Sequence, residues 1–572
     1  MTYLIETYGC QMNKAESSAL ETIFRERGWK PWQALSVPTE AAPLGEAHSF
    51  GEAPPLGEAR GDPSEATPAV HEPPSAVHKP TFRKPRGQSS QLATAQATAI
   101  AQAAATATAE GAESAEGAGS AAGPDFVLIN TCSVRITAEN RAWGRINHWA
   151  AEKARLAREG HRLALAVTGC MAERMKKEIR LRQAAVDHVI GTFQKQAFGL
   201  IVDAVASGRR IAEVEESPSF VFADSYHEPS SFRSFVPIMH GCDNFCTYCI
   251  VPHIRGREIS RDPRAILAEL ETLESQGVRE VTFLGQNVNS YRWEGEGGRL
   301  DFPGLLSLVA DRFRSGRDRP ASLGEIVGSA DRGSDRPASL GEIVGSADRG
   351  SDRPASLGDS RGLRWVRFLT SHPKDLSDAA LEVIAREPLF CRHIHLPVQA
   401  GSDAILKAMN RKYDRATYLA LIDRMRAALP GLSLTTDLLV GFPGETDADF
   451  EETLDLMRRV RYSYAFMYHF NPREGTPAAK LAEKVSEKKK RERLARVIEL
   501  QKEISTEILR SRIGAVDEVL IEDISRRKKT EVLARTARDE MVVFSADASR
   551  IGSFAMVRLE SLVGNTFRAV EL

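Results

Sequence analysis

The sequence predicts an α/β protein: an N-terminal parallel α/β layer, a longer second run of alternating strands and helices, and a small β-barrel at the C-terminal end. Three observations carry this. In residues 1–217, three apolar runs each end in a cysteine and pass directly into a helical pattern. In residues 228–490, strand-length apolar runs again alternate with helical stretches, as in successive β/α units. Residues 509–572 show period-two alternation in VDEVLIEDIS, EMVVFSAD and FAMVRLESLVG, the pattern of short strands in a small barrel.

At 572 residues the chain has room for about three or four domains. Two segments are set apart from these blocks. Residues 31–124 repeat PLGEA and then run through ATAQATAIAQAAATATAEGAESAEGAGSAAG, with almost no large apolar residues. Residues 315–361 contain the tandem repeat DRPASLGEIVGSADRGS. Neither composition buries enough apolar surface to offset chain entropy, so both are expected to be disordered insertions in surface loops.

The formal net charge is −1, from 76 Lys+Arg against 77 Asp+Glu, so any nucleic-acid-binding face must be local. The opening MTYLIETYGC has no basic segment followed by an apolar run, and no stretch approaches the ~18 apolar residues of a membrane span. A cytoplasmic location is expected. Seven cysteines are too few for a disulfide scaffold in a chain of this size, and six of them fall into two groups of three.

The first group is Cys10, Cys132 and Cys170. YLIETYGC leads into QMNKAESSALETIFRERG, FVLINTC into a helix bearing Val134, Ala138, Trp143 and Ile146, and LALAVTGC into MAERMKKEIRL. In a parallel sheet the carboxyl ends of the strands share one edge, so residues in the same place of each unit converge there. Three thiolates brought together repel unless a metal or cluster neutralises them. The alternative is three unrelated buried cysteines, which are common core residues.

The second group lies in PIMHGCDNFCTYCIVPHIRGRE, with Cys242, Cys246 and Cys249 spaced C-x-x-x-C-x-x-C. Thiolates on one tight loop suit a cuboidal iron–sulfur cluster, and three of them leave one iron without a cysteine. A zinc site completed by His253 is the competing reading, against which stands the long series of β/α units that follows. This spacing, with Tyr248 just before the last cysteine, resembles the radical-SAM signature. The resemblance implies an incomplete (β/α) barrel in which VTFLGQN, WVRFLTS, HIHLPVQ, LTTDLLVGFPGE and YAFMYHFNP are strands with their C-terminal loops. It also implies a 4Fe-4S cluster whose open iron is chelated by S-adenosylmethionine, and reductive cleavage of that cofactor to a 5′-deoxyadenosyl radical. Tyr248, Gln286, Asn287, Gly441 and Glu445 are then candidates to surround the cofactor.

A second three-cysteine site upstream narrows the likeness to the radical-SAM methylthiotransferases. YGCQMN, NTCSVR, RAWGRI, VTGCMAER, GCDNFCTYCIVP, LGQNVNSY, FLTSHPKDL and GFPGETDADF resemble the MiaB-type tRNA branch. Ala400, in PVQAGSD, stands where that family commonly has serine. The resemblance implies two 4Fe-4S clusters, one on each cysteine triplet. It further implies radical methylthiolation at C2 of N6-isopentenyladenosine next to the tRNA anticodon, with S-adenosylmethionine as both radical source and methyl donor. An external reductant and a sulfur donor are then required as partners beside tRNA. A ribosomal-protein aspartate, another modified adenosine, and a non-catalytic metal-bearing RNA-binding role are the alternatives. No side chain is assigned as general acid or base, because the C–H bond at C2 is reached by cofactor chemistry.

The C-terminal segment resembles a TRAM domain, a small RNA-binding β-barrel. Arg526, Arg527, Lys528, Lys529 and Arg535, with Arg538 nearby, lie in or near one hairpin and are expected to contact phosphates; an ordinary solvated turn is the alternative. SEKKKRERLAR is read as a mixed-charge exposed helix. Cys391, in LFCRHIHLPV, reads as a buried strand residue without a role.

Overall fold

The computed structural model describes residues 1–32, 123–133, 136–209, 211, 220–222, 227, 231–296, 298–314, 362–482 and 484–572. The repeat segment 315–361, nearly all of 31–124, and Val134 of the helix expected after Cys132 lie outside these described residues. The N-terminal part comprises β1 (Thr2–Tyr8), α1 (Gln11–Glu26), β2 (Lys30–Pro31), β3 (Phe126–Thr131), α2 (Ile136–Arg158), β4 (Ala164–Gly169), α3 (Cys170–Arg174), α4 (Lys176–Arg182), β5 (His188–Ile190) and α5 (Phe198–Ala206). Its strands pair in the order β2-β1-β3-β4-β5, all parallel. Helices cover both faces, which is why FVLI of β3 is apolar without alternation. Phe126 and Leu128 pack with Tyr3, Phe24, Trp29 and Phe198 on one side, Val127 and Ile129 with Ile146, Trp149 and Met171 on the other. Pro31 belongs to this sheet rather than to the insertion: it lies in the edge strand, opposite Tyr3, where a missing N–H is tolerated.

The central part runs through β6 (Arg233–Pro237), β7 (Met239–His240), α6 (Val251–Arg255), β8 (Ile259–Ser260), α7 (Pro263–Ser275), β9 (Glu280–Leu284), β10 (Arg292–Gly295), β11 (Gly298–Asp301), α8 (Phe302–Phe313), β12 (Trp365–Phe368), α9 (Asp378–Arg386), β13 (His393–His395), α10 (Asp403–Ala408), α11 (Arg415–Ala428), β14 (Ser433–Val440), α12 (Asp447–Val460) and β15 (Tyr464–His469). Two parallel sheets, β6-β9-β12 and β13-β14-β15, form an open barrel wall. They meet where Cys391 N donates to Val366 O at 3.1 Å. One apolar core joins the outer faces of these strands to the helices, from Val236 and Ile266 to Met457 and Val460. Because Ile394, Leu396, Leu434 and Leu438 face that core, the period-two rule turns His393, His395, Thr435 and Asp437 toward the barrel interior.

Helix α13 (Glu487–Arg510) follows. It corrects the expectation of an exposed helix: Lys490, Arg493, Val497, Gln501, Ile504 and Ser505 form a buried stripe at helical spacing. Arg493 can be buried there because Glu445 and Asp447 accept its hydrogen bonds, at 2.5 and 2.8 Å.

The chain ends in a closed barrel of β16 (Val516–Ile524), β17 (Glu531–Thr536), β18 (Met541–Ser545), β19 (Phe554–Val563) and β20 (Thr566–Glu571), in the order β16-β17-β18-β20-β19. Val519, Ile521, Val532, Val542, Phe544, Val557 and Phe567 fill it. The barrel is fastened to the central part by a buried ionic network. Glu280 of β9 accepts from Arg367 Nε at 2.8 Å and from Arg535 Nη2 at 2.6 Å. Arg535 also reaches Glu522 at 2.6 Å and Asp539 at 2.5 Å, and Arg367 donates to Thr536 O at 2.8 Å. This corrects the expectation for Arg535, whose guanidinium is buried and already shared by three carboxylates, leaving it no phosphate to meet. Trp365, Cys391, Leu520 and Phe554 pack beside the network, and burial pushes the Cys391 thiol up to about 12. Removing one partner of a buried ion pair strands the other charge, so Glu280→Ala is expected to lower stability by about 3–5 kcal/mol in calorimetric unfolding. Glu571→Ala, which breaks the partly exposed pair with Arg550, is expected to cost about 1 kcal/mol or less in the same measurement.

Candidate active site

The strand register of the N-terminal sheet decides where its cysteines go. Tyr8 pairs with Thr131, and Thr131 with Gly169, so the three strands end level. Cys132 and Cys170 follow the last paired residues directly, and Cys10 is one residue further on. Cys132 N donates to Tyr8 O at 2.9 Å, closing the edge. The thiols interact: a hydrogen bond with Cys132 draws the Cys10 thiol down to about 6, and Cys10 in turn acts on Cys170.

The residues flanking each cysteine build the cradle. Asn13 is fully buried, and its Oδ1 lies 3.3 Å from Cys10 N and 3.4 Å from Cys10 Sγ. Its Nδ2 donates to Asn130 Oδ1 at 3.0 Å and Thr131 O at 3.2 Å, tying the first cysteine loop to the second. Thr131 Oγ1 donates to Thr168 O at 2.6 Å, tying the second to the third. Gly169 has φ +93°, and a Cβ there would stand 2.3 Å from Thr131 O. The strings YGCQMN, NTC and TGC are thus one hydrogen-bonded edge written in three pieces.

Glu16, six residues beyond Cys10 on α1, is buried between Arg255 Nη1 at 2.7 Å and Lys195 Nζ at 2.8 Å. Burial pushes its carboxyl up, but the two cations outweigh that and hold it at about 2. Arg255 closes α6, the helix that begins two residues after Cys249, and Ile250 and Ile254 of the same segment pack on Cys170. The two cysteine groups therefore sit on structures in direct contact.

Cys242, Cys246 and Cys249 lie on the loop between β7 and α6. Gly241 turns it with φ +79°; a Cβ there would fall 1.9 Å from Arg257 O. Gln286 Oε1 accepts from Gly241 N at 2.6 Å, so this residue shapes the cysteine loop itself. Asn410 Nδ2 donates to Phe245 O at 2.9 Å, and Thr247 N to Met409 O at 3.0 Å, pinning the loop to the end of α10. Burial pushes the Cys242 thiol up to about 11 and the Cys249 thiol up to about 12, so both need a bound cation to ionise readily.

The other residues expected around the cofactor occupy distinct places. Tyr248 packs with Phe442, Phe470 and Ala400. Asn287 is buried; its Nδ2 donates to Asp375 at 2.7 Å, while its Oδ1 has no hydrogen-bond partner among the described residues. Gly441 has φ +71°, and a Cβ would stand 2.4 Å from Lys490 Cγ, so glycine is required by the stem of a lysine lying across the turn. Glu445 Oε2 accepts from Gly441 N at 2.6 Å and from Arg493, which commits this carboxylate to holding the turn.

Sequence reasoning passed over Arg411. Its guanidinium reaches Cys246 Sγ at 3.3 Å, Tyr248 Oη at 3.4 Å, Tyr413 Oη at 2.8 Å and Pro397 O at 2.6 Å. Nothing in the string MNRKY marks it, because its importance comes from contacts more than 160 residues away in sequence. Nor were the inward-facing His395 and Asp437 picked out, 3.5 Å apart, although the alternation of HIHLPV and LTTDLLV places them. Both cysteine groups suit iron–sulfur clusters by their donor chemistry. Three soft thiol ligands belong to each, an arginine acts on each, and among the described residues the buried amide oxygens of Asn244 and Asn287 near the second have no hydrogen-bond partner. Among the described residues no three His, Cys, Asp or Glu side chains are grouped to hold a single metal ion. Arg526, Arg527, Lys528 and Lys529 are exposed on the turn between β16 and β17.

Three family models match: the Radical SAM superfamily over residues 236–457, the TRAM domain over 510–569, and Uncharacterized protein family UPF0004 over 98–191. The tRNA-2-methylthio-N(6)-dimethylallyladenosine synthase of Treponema denticola is 37% identical over 100% of this chain and 99% of its own length. The protein of the same name from Desulfitobacterium hafniense is 41% identical over 76% of this chain and 86% of its own. No helix among the described residues is long and apolar enough to cross a membrane. A chain with a Radical SAM match and a TRAM match is covered over its whole length by such a relative, and it belongs to the tRNA-2-methylthio-N(6)-dimethylallyladenosine synthase family.

Proposed function

We propose that this radical-SAM enzyme places a methylthio group on C2 of N6-isopentenyladenosine next to the tRNA anticodon. S-adenosylmethionine serves as radical source and as methyl donor. The observation that carries the reading is the level ending of β1, β3 and β4, just beyond which Cys10, Cys132 and Cys170 follow, with Cys170 packed on Ile250 and Ile254 of the segment after Cys249. Cys242, Cys246 and Cys249 would hold the 4Fe-4S cluster that binds S-adenosylmethionine, and Cys10, Cys132 and Cys170 a second one. Bound, these groups supply the one-electron cleavage, hydrogen abstraction and sulfur transfer that side chains cannot perform.

The chain's own residues bind, orient and shield. Arg411 holds Cys246 and Tyr248 in one arrangement, and the aromatic wall of Tyr248, Phe442 and Phe470 keeps water from the loop. His395 and Asp437 offer polar contacts inside the barrel, where a flipped-out base can be read by its edge. The exposed cations Arg526, Arg527, Lys528 and Lys529 would meet phosphates of the tRNA, a local basic edge on a chain of near-zero net charge. The reductant and the sulfur donor act from outside the chain.

Nucleoside mass spectrometry tests the substrate. In tRNA from a strain lacking this protein, 2-methylthio-N6-isopentenyladenosine should vanish and N6-isopentenyladenosine accumulate; an undiminished methylthio signal refutes the assignment. Metal analysis tests the cofactors. Anaerobically reconstituted protein should carry about eight irons, and Cys246→Ala should keep about half while losing S-adenosylmethionine cleavage. Zinc in place of iron, or persistent cleavage, would contradict the two-cluster scheme. Replacing Arg526, Arg527, Lys528 and Lys529 together by alanine should weaken tRNA binding and flatten its salt dependence, since each lost phosphate contact removes counterion release of order one ion. An unchanged salt slope would exclude this edge from the interface.

A further inference from the structure

The buried cluster around Arg255 contains more positive charge than its one carboxylate neutralises. Arg255 is 3% exposed and Glu16 6%. Glu16 already has Lys195 at 2.8 Å, so a single ion pair would be complete without the arginine. Next to Arg255 Nη1, at 3.4 Å, stands the Nδ1 atom of His240, whose ring is fully buried and stacked on Phe220. A second buried cation beside one carboxylate is costly unless another anion faces it.

Four polar atoms of this cluster are buried without a hydrogen-bond partner among the described residues: Glu16 Oε2, Arg255 Nη2, His240 Nε2 and, its ion pair with Glu16 apart, Lys195 Nζ. The thiols of Cys170 and Cys10 are close enough to act on the charge of the arginine. Their segments are fixed on it. Cys170 packs on Ile254, the neighbour of Arg255, and Thr192 Oγ1 donates to Ile254 O at 2.9 Å. The guanidinium is thus held by a carboxylate and lies within electrostatic reach of two thiols of the N-terminal triplet.

We propose that Arg255 is a positioning residue for the N-terminal cysteine triplet, with its positive charge raising the reduction potential of the iron–sulfur cluster which that triplet holds. The inference rests on reading Cys10, Cys132 and Cys170 as a cluster site. A cluster on three thiolates is anionic and gains one further negative charge on one-electron reduction, and a fixed cation at its side favours the reduced form. Arginine suits this place better than lysine because its planar fork can bond Glu16 on one edge and face sulfur on the other. The same side chain links the two halves of the site, since it belongs to the helix leaving the loop of Cys242, Cys246 and Cys249.

The test uses the full chain with Cys242, Cys246 and Cys249 replaced by alanine, reconstituted anaerobically with iron and sulfide. Iron content, electron paramagnetic resonance and a dithionite-poised redox titration are then read. In that background Arg255→Gln should shift the midpoint potential to more negative values and change the resonance of the reduced cluster, while Arg255→Lys restores most of the potential. A Gln variant that keeps its iron and titrates like its parent overturns the proposal. Absence of iron from the parent background refutes the cluster reading itself, before Arg255 is touched. Should the Gln variant fail to fold by circular dichroism, Glu16→Gln reads the same charge from its other side. Removing that carboxylate should move the potential to more positive values, and an unmoved potential there overturns the proposal equally.

Discussion

Everything distinctive about this molecule depends on parallel strands that end level. Thiols at positions 10, 132 and 170 become neighbours because Tyr8, Thr131 and Gly169 share one line of register. A slip of one residue in any strand would turn its cysteine to the other face of the sheet. The register is secured from both sides. Apolar residues of β3 are locked into cores on either face, and side-chain bonds among Asn13, Asn130, Thr131 and Thr168 stitch the strand ends together. The polar stitching costs little, because the buried amide of Asn130 bonds to Asn13 and Ser17 of α1 and the hydroxyl of Thr131 to the next strand.

The second cysteine group follows a different logic. Its three residues are close in sequence, so no sheet is needed to assemble them, only a loop that cannot collapse. Gly241 and Gln286 set how that loop enters, Asn410 and Thr247 anchor its middle, and Arg411 occupies the space behind Cys246. Most of these partners come from segments that close other strands of the barrel. The cluster loop is therefore held by the same carboxyl-end layer that would surround a substrate, so loading of the loop and shaping of the cavity are one process.

Much of this was legible in the sequence because the chemistry demands particular residues in particular places. The cysteines could be read, as could the strands that carry them, since an apolar run, a cysteine and a helix recur three times. What could not be read is what depends on the third dimension. Arg535 looked like one more cation of a basic hairpin and is instead a buried hub, because its carboxylate partner Glu280 lies 255 residues away. Lys490 and Arg493 looked solvated for the same reason: the residues that bury them, Gly441 and Glu445, are on another element. Charged residues mislead when their partners are distant, whereas cysteine, glycine and strand periodicity carry their meaning locally.

The positions of the two long inserted segments follow from the same polarity of the strands. The described residues on either side of 33–122 lie at the amino end of the N-terminal sheet: β2 pairs with Thr2 and Tyr3, and β3 begins at Phe126. Residues 315–361 join α8 to β12, again at the amino end of a strand, where Arg314 is paired with Glu387 at 2.9 Å. Both junctions are thus at the end of their sheet opposite the cysteines. Added length in a loop costs conformational entropy only slowly, but added length at the carboxyl edge would also displace the residues that gather thiols. A parallel α/β architecture separates these demands by direction alone. Its carboxyl ends are fixed by chemistry, and its amino ends are free to lengthen.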